Sequence, residues 1–167
     1  MSDAFNIRSE RPGDAAAVRT LLNAAFGGHV ESKVAERLRA DGDFVLSLVA
    51  ENGEGVAGYA GFPRLVLKLD ERNVPVVGLA PVGVSPSLQR NGIGSALIRE
   101  GFARLKDRAE RLVFVLGDPA YYGRFGFTVM EGFVSRYAGP YFQALMLAPD
   151  VPKAGRVSYP KAFDDIG

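Results

Sequence analysis

A chain of 167 residues, 47% hydrophobic and 23% charged, is one ordinary globular domain, too apolar to stay disordered and long enough to fold without a disulfide or metal. Twenty Lys+Arg against 19 Asp+Glu leave a net charge of +1, so no global field steers the protein toward nucleic acid or an acidic membrane. With no cysteine and one histidine, His29, a thiol nucleophile, a CxxC redox centre and a thiolate or multi-histidine zinc site are all excluded, and no metal is expected.

The first 14 residues carry no basic stretch followed by an apolar run, and no segment reaches 18 consecutive apolar residues. We therefore expect a soluble, cytoplasmic, single-domain protein spanning 1–167. A short strand is expected over 5–8, then a turn at Arg11-Pro12-Gly13 with Asp14 in the first helical turn. Val18, Leu21, Leu22 and Ala25 follow at helical spacing up to Gly27-Gly28, and Val30, Val34 and Leu38 mark a second helix that stops at Asp41-Gly42. Strands are expected over 44–51, 56–67 and 74–84, with turns at 52–55 and 70–73. Gly78, Pro81 and Gly83 lie inside the last of these, where such residues mark a bulge or the close approach of another backbone or ligand.

A helix is then expected over 92–107, with Ile93, Ala96, Leu97, Phe102 and Leu105 on its buried side. The apolar run 112–116 reads as a buried strand parallel to strand 74–84, because the helix between them makes a βαβ-like crossover. A short helical turn is expected around Tyr121-Tyr122, an extended stretch from Phe127, and a last strand over 142–147. The class is α+β: a mixed, mostly antiparallel sheet with helices on its faces.

The sharpest feature is Gln89-Arg90-Asn91-Gly92-Ile93-Gly94 between a strand and a helix. Glycines there let backbone N–H groups converge on an anion, and the free N–H groups of the first helical turn add the positive end of the dipole. That suits a pyrophosphate. A P-loop is excluded because Ser95 follows Gly94 where lysine is required, and a dinucleotide fingerprint lacks its third glycine at Leu97. On the glycines alone, a helix start with no ligand stands beside the phosphate reading.

The stretch resembles the acetyl-CoA-binding motif of the GNAT superfamily of N-acetyltransferases, Q/R-x-x-G-x-G/A, with Gln89, Gly92 and Gly94 in the specified positions. The preceding segment 79–86 looks like the family's fourth strand and its turn, and Tyr122-Gly123-Arg124-Phe125-Gly126-Phe127 is similar to the family's Tyr-x-x-x-Gly-Phe ending. The order of elements fits over residues 4–148, with 149–167 as a C-terminal extension. The resemblance implies a sheet splayed between the fourth and fifth strands. There, the backbone of Val82, Gly83 and Val84 would meet the pantetheine arm, and N–H groups from Arg90, Asn91, Gly92, Ile93, Gly94 and Ser95 the pyrophosphate.

The implied reaction is direct transfer of acetyl from acetyl-CoA to a primary amine of a small molecule or peptide. A lysine-like amine is only about 0.04% neutral at pH 7, so the site must favour its deprotonated form. Tyr122, four residues before Gly126, is the general acid that would protonate the CoA thiolate, whereas Tyr121 is expected to pack. The family often has an asparagine seven residues before this tyrosine; that position is Val115 here, and Gly117 and Asp118 are the candidate substitutes. His29 and Glu31, between the first two helices near the family's acceptor entrance, are the candidate base or acceptor contacts. Tyr159, Pro160 and Phe163 suggest that the C-terminal segment docks on the domain, and a structural role is expected for it over one in substrate choice. The rival reading is a non-catalytic acyl-CoA sensor or assembly module of the same fold; a nucleotide-binding oxidoreductase is disfavoured by Leu97. Dimers are common in the family, which makes a homodimer one expectation, although no segment identifies an interface.

Overall fold

The computed structural model describes residues 4–166. Among these residues nine strands form one sheet, whose main path runs β1 (Asn6–Ser9), β2 (Phe44–Asn52), β3 (Gly55–Leu69), β4 (Arg72–Leu79), β6 (Leu112–Leu116), β8 (Phe142–Met146). All of these neighbours are antiparallel except β4 and β6, which are parallel as the crossover helix requires. Strand β5 (Val82–Val84) adds to the β4 side of β3, and β9 (Gly155–Ser158) pairs with β3 and with the two-residue β7 (Phe133–Val134).

The strand expected over 74–84 is thus two strands. The break lies at Ala80-Pro81, where Gly61 bonds to both residues: its N–H donates to Pro81 O at 3.0 Å and its carbonyl accepts from Ala80 N at 2.9 Å. Two residues opposite one is a bulge, which bends the strand and re-aims the residues after it. The parallel pairing ends with Leu79 against Val115. Beyond it β5 stays with β3 and does not pair with β6, and this separation opens the sheet.

Period-two alternation sends Leu46, Leu48, Ala60 and Phe62 to one face and Val49 and Tyr59 to the other. Helix α3 (Ile93–Asp107) covers the first face with Ile93, Leu97, Ile98 and Leu105. Ala96 and Phe102 are only partly buried, and Ile98 and Gly101 take the deeper positions. Gly101 admits the Phe62 ring so closely that a Cβ there would lie 2.2 Å from Phe62 Cζ.

On the opposite face, α1 (Ala15–Phe26) packs Val18, Leu21 and Leu22 over Val49 and Tyr59. It ends at Gly27, which holds φ +70° and donates to Asn23 O at 2.9 Å. Helix α2 (Val30–Ala40) lies beside it and buries Val34, Ala35 and Leu38. Elsewhere the sheet packs Phe114 and Leu67 with Phe133, Phe142 and Val157.

The C-terminal segment is therefore part of the sheet: β9 is absent from the sequence expectation, because four residues that begin with Gly155 and lead into Tyr159-Pro160 carry little strand signal. The stretch after Phe127 is extended only at the isolated Thr128–Ala144 bridge and at β7. Among the described residues, no helix is long and apolar enough to cross a membrane.

Candidate active site

Where β5 parts from β6, a cleft of 840 Å³ opens between β5, the start of α3 and α4 (Pro119–Tyr122). Pro81 O and Ser85 N bond to β3. In an antiparallel ladder bonded residues alternate, so the N–H and C=O groups of Val82 and Val84 point away from β3, toward the cleft. Gln89 Nε2 donates to one of them, Val84 O, at 3.2 Å and so ties the turn to the strand end. Gly83 lines the cleft as well, and its missing side chain lets Leu22 of α1 approach to 3.0 Å of where a Cβ would stand.

Arg90 (φ +69°) and Gly92 (φ +82°) both adopt left-handed conformations in the loop. The first intrahelical bond of α3 is Ala96 N to Gly92 O at 3.0 Å, which leaves the N–H groups of Ile93, Gly94 and Ser95 outside the helical ladder, at the cleft. Gln89, Arg90, Gly92, Ile93, Gly94 and Ser95 all line it; Asn91 does not. A Cβ on Gly94 would come within 3.2 Å of the Tyr121 hydroxyl. Tyr121, expected to pack, does stack edge-on to Tyr122 at 5.0 Å, but it also lines this cleft. Arg124, which stands in the unspecified part of the Tyr-x-x-x-Gly-Phe pattern, lies over the Tyr121 ring at 4.6 Å and lines the cleft as well.

Tyr122 is held by its neighbours' rings and by Gly117, where a Cβ would fall 2.4 Å from Tyr122 Cε2. Burial, then the nearby Tyr121, pushes its phenol up to about 12. No side-chain hydrogen bond engages its hydroxyl among the described residues. Gly117 and Asp118 are occupied elsewhere. Gly117 O accepts from Gln143 Nε2 at 3.0 Å, Asp118 caps α4 through Ala120 N at 2.9 Å, and neither lines the cleft. Val115 is buried in the core.

A second cleft of 280 Å³ adjoins the first and shares Phe26, Val82 and Tyr122 with it. Glu31, in the first turn of α2, lines it and is its one charged group among the described residues. His29 is placed differently from the expectation. It is the residue before α2, its backbone carbonyl is taken by Lys33 N and Ser32 Oγ, and its side chain lines neither cleft. The far wall is formed by Tyr137, Tyr159 and Phe163, so the C-terminal segment docks on the domain and lines the second cleft. Their signal in the sequence is only a few rings in a terminal stretch.

Residues 6–130 match the family described as "Acetyltransferase (GNAT) domain". The chain is 34% identical over 165 residues to the uncharacterized N-acetyltransferase YhbS of Escherichia coli (strain K12), covering 95% of this chain and 98% of that one. The crystal structure of E. coli YhbS in complex with CoA superposes with a TM-score of 0.90 at 34% identity, over 98% of this chain and 93% of that one. A GNAT family acetyltransferase from Brucella melitensis in complex with acetyl-CoA gives 0.83 at 39% identity, over 97% and 99%.

Proposed function

The chain belongs to the GNAT family of N-acetyltransferases, and on that premise we propose that it transfers acetyl from acetyl-CoA to a primary amine of a small molecule or peptide, with Tyr122 as the proton donor to sulfur. One observation carries this reading: Tyr122 stands on the wall common to both clefts, with a hydroxyl that no side chain among the described residues engages.

Acetyl-CoA supplies an activated acetyl: the amine nitrogen bonds to the thioester carbon, the C–S bond breaks, and sulfur leaves as a thiolate needing a proton. The larger cleft fits such a molecule, having outward backbone groups at Val82 and Val84 for the pantetheine amides and the N–H groups of residues 93–95 for the pyrophosphate. Arg90 and Arg124 add positive charge to its lining. A backbone N–H of β5 stabilises the developing oxyanion. Tyr122, with its pKa pushed up to about 12, remains a phenol at neutral pH and gives its proton to sulfur. It recovers a proton from the nitrogen through water. Holding amine and thioester side by side supplies much of the rate, since effective molarities reach about 10⁵ M or more. A cytoplasmic location goes with a reaction that consumes acetyl-CoA.

The test is thiol release from acetyl-CoA over a panel of amines, which the absence of cysteine keeps free of protein background. Tyr122→Phe is expected to lower kcat by about 10²-fold or more while leaving acetyl-CoA affinity unchanged. Amine-dependent release unaffected by the substitution would remove Tyr122 as the acid. Tight acetyl-CoA binding with no release from any amine would favour the sensor reading.

A further inference from the structure

We propose that the second cleft selects a small monoamine: a primary amine on one compact apolar group, aromatic or branched aliphatic. Glu31 holds the ammonium, and the apolar group lodges against Phe163, Tyr159 and Tyr137. The proposal rests on the acetyl-transfer reading for what happens to the amine, not for the chemistry of the cleft itself.

Charge comes first. Glu31 faces this cleft, and among the described residues no lysine, arginine or histidine does. An anionic acceptor would meet a carboxylate with no cation to offset it. A polyamine would satisfy one ammonium at Glu31 and bring the others into an apolar enclosure without counter-charges. A single positive charge matches the site.

Size and wall chemistry narrow it further. At 280 Å³ the cleft lies just under the range of about 300–1,000 Å³ typical for drug-sized ligands. Its far side is a fixed aromatic wall. Tyr159 meets Tyr137 edge-on at 5.0 Å and Phe163 at 5.2 Å, and Phe163 packs with Val34 and Leu38 of α2. Across the wall Tyr137 Oη donates to Phe163 O at 3.4 Å, and the exposed Arg136–Asp164 ion pair spans the same two segments at 3.1 Å. Burying a phenyl or branched group against such a wall favours binding by about 10- to 100-fold. A peptide acceptor would instead press successive amides against a lining whose uncharged polar side-chain groups are the hydroxyls of Tyr122, Tyr137 and Tyr159, leaving most of those amides without partners.

Orientation comes from the shared wall. The nitrogen must reach the boundary at Val82 and Tyr122 to meet an acetyl group in the larger cleft, so the substituent points away from it. That direction leads to the rings contributed by 137–163.

The test measures binding and turnover separately on the full chain. By calorimetry in the presence of CoA, 2-phenylethylamine and 3-methylbutylamine should bind at least about 30-fold more tightly than spermidine or phenylalanyl-glycyl-glycine. Glu31→Gln should weaken 2-phenylethylamine at least about fivefold without changing CoA affinity, and Phe163→Leu should weaken it while sparing methylamine. Equal or tighter binding of spermidine or of the tripeptide overturns the proposal, as does indifference of 2-phenylethylamine to Glu31→Gln. Thiol release in parallel separates the two readings. Binding of the apolar amines without release overturns acetyl transfer and leaves the cleft's selectivity standing. Release with spermidine preferred does the reverse.

Discussion

The two clefts share Phe26, Val82 and Tyr122 yet are made of different material. The larger draws mostly on two short stretches, 82–95 and 120–124, and offers mainly backbone: outward strand groups, left-handed loop residues and the first N–H groups of α3. The smaller takes side chains from segments as far apart as 26–34, 79–82, 116–122 and 137–163. A backbone site is specified by where side chains are missing and by chain geometry, so it recognises a constant group. A side-chain site assembled from distant segments can be altered at its less buried positions, such as Glu31, without moving the backbone frame, which is what a variable acceptor needs.

The comparison breaks most directly at Gly94. Branching at that position crowds the Tyr121 hydroxyl and Val84, 3.2 and 3.5 Å from a Cβ. Gly94→Val should weaken acetyl-CoA by about 10- to 100-fold in a direct titration, with the ranking of amines unchanged. A changed ranking would mean the clefts are not separable. Gly117→Ala acts on the shared wall: the new methyl collides with the Tyr122 ring, and kcat should fall by about tenfold with little change in acetyl-CoA affinity.

A gentler probe is pH. Because the Tyr122 pKa is raised to about 12, about 99% of the phenol is still protonated at pH 10, against half at the ordinary value near 10. The rate should therefore climb through pH 10 as the amine deprotonates, with no alkaline descent from this residue. A descent centred near pH 10 would show the phenol titrating normally.

The smallest effect belongs to a cluster outside both clefts. Asp14 is held down to about 2 by the Arg8 side chain, aided by Arg11 N–H. A depressed carboxyl stabilises the fold above its ordinary value of 3.8 and loses that contribution as pH falls through about 2. Asp14→Asn should flatten acid unfolding between about pH 4 and 2, monitored by circular dichroism, and leave both ligand affinities at neutral pH untouched.

The backbone character of the larger cleft is also why it could be read from the sequence. Gln89, Gly92 and Gly94 stand where the motif they resemble specifies them, and Tyr122 stands in a Tyr-x-x-x-Gly-Phe ending similar to the family's. The break at Pro81 and the close approach at Gly83 come from residues that fit poorly in a plain strand. The smaller cleft has no such signature. Tyr159 and Phe163 reach the smaller cleft because β9 pairs with β3 and carries the chain back across the sheet, and pairing between residues 66–68 and 156–158 leaves no local trace. His29 is a related case: close in sequence to Glu31, it precedes α2 and lines neither cleft, whereas Glu31 in the first turn lines the smaller one.

The common wall has a thermodynamic consequence. Phe26, Val82 and Tyr122 cannot adjust to an occupant on one side without changing what they present to the other. The two ligands are linked to whatever extent that wall responds to them, and linkage is reciprocal: whatever factor CoA lends to amine affinity, the amine lends to CoA. A CoA titration repeated at rising concentrations of an amine thus reports on the acceptor cleft without a single turnover, and with an acceptor too slow to be seen by its product.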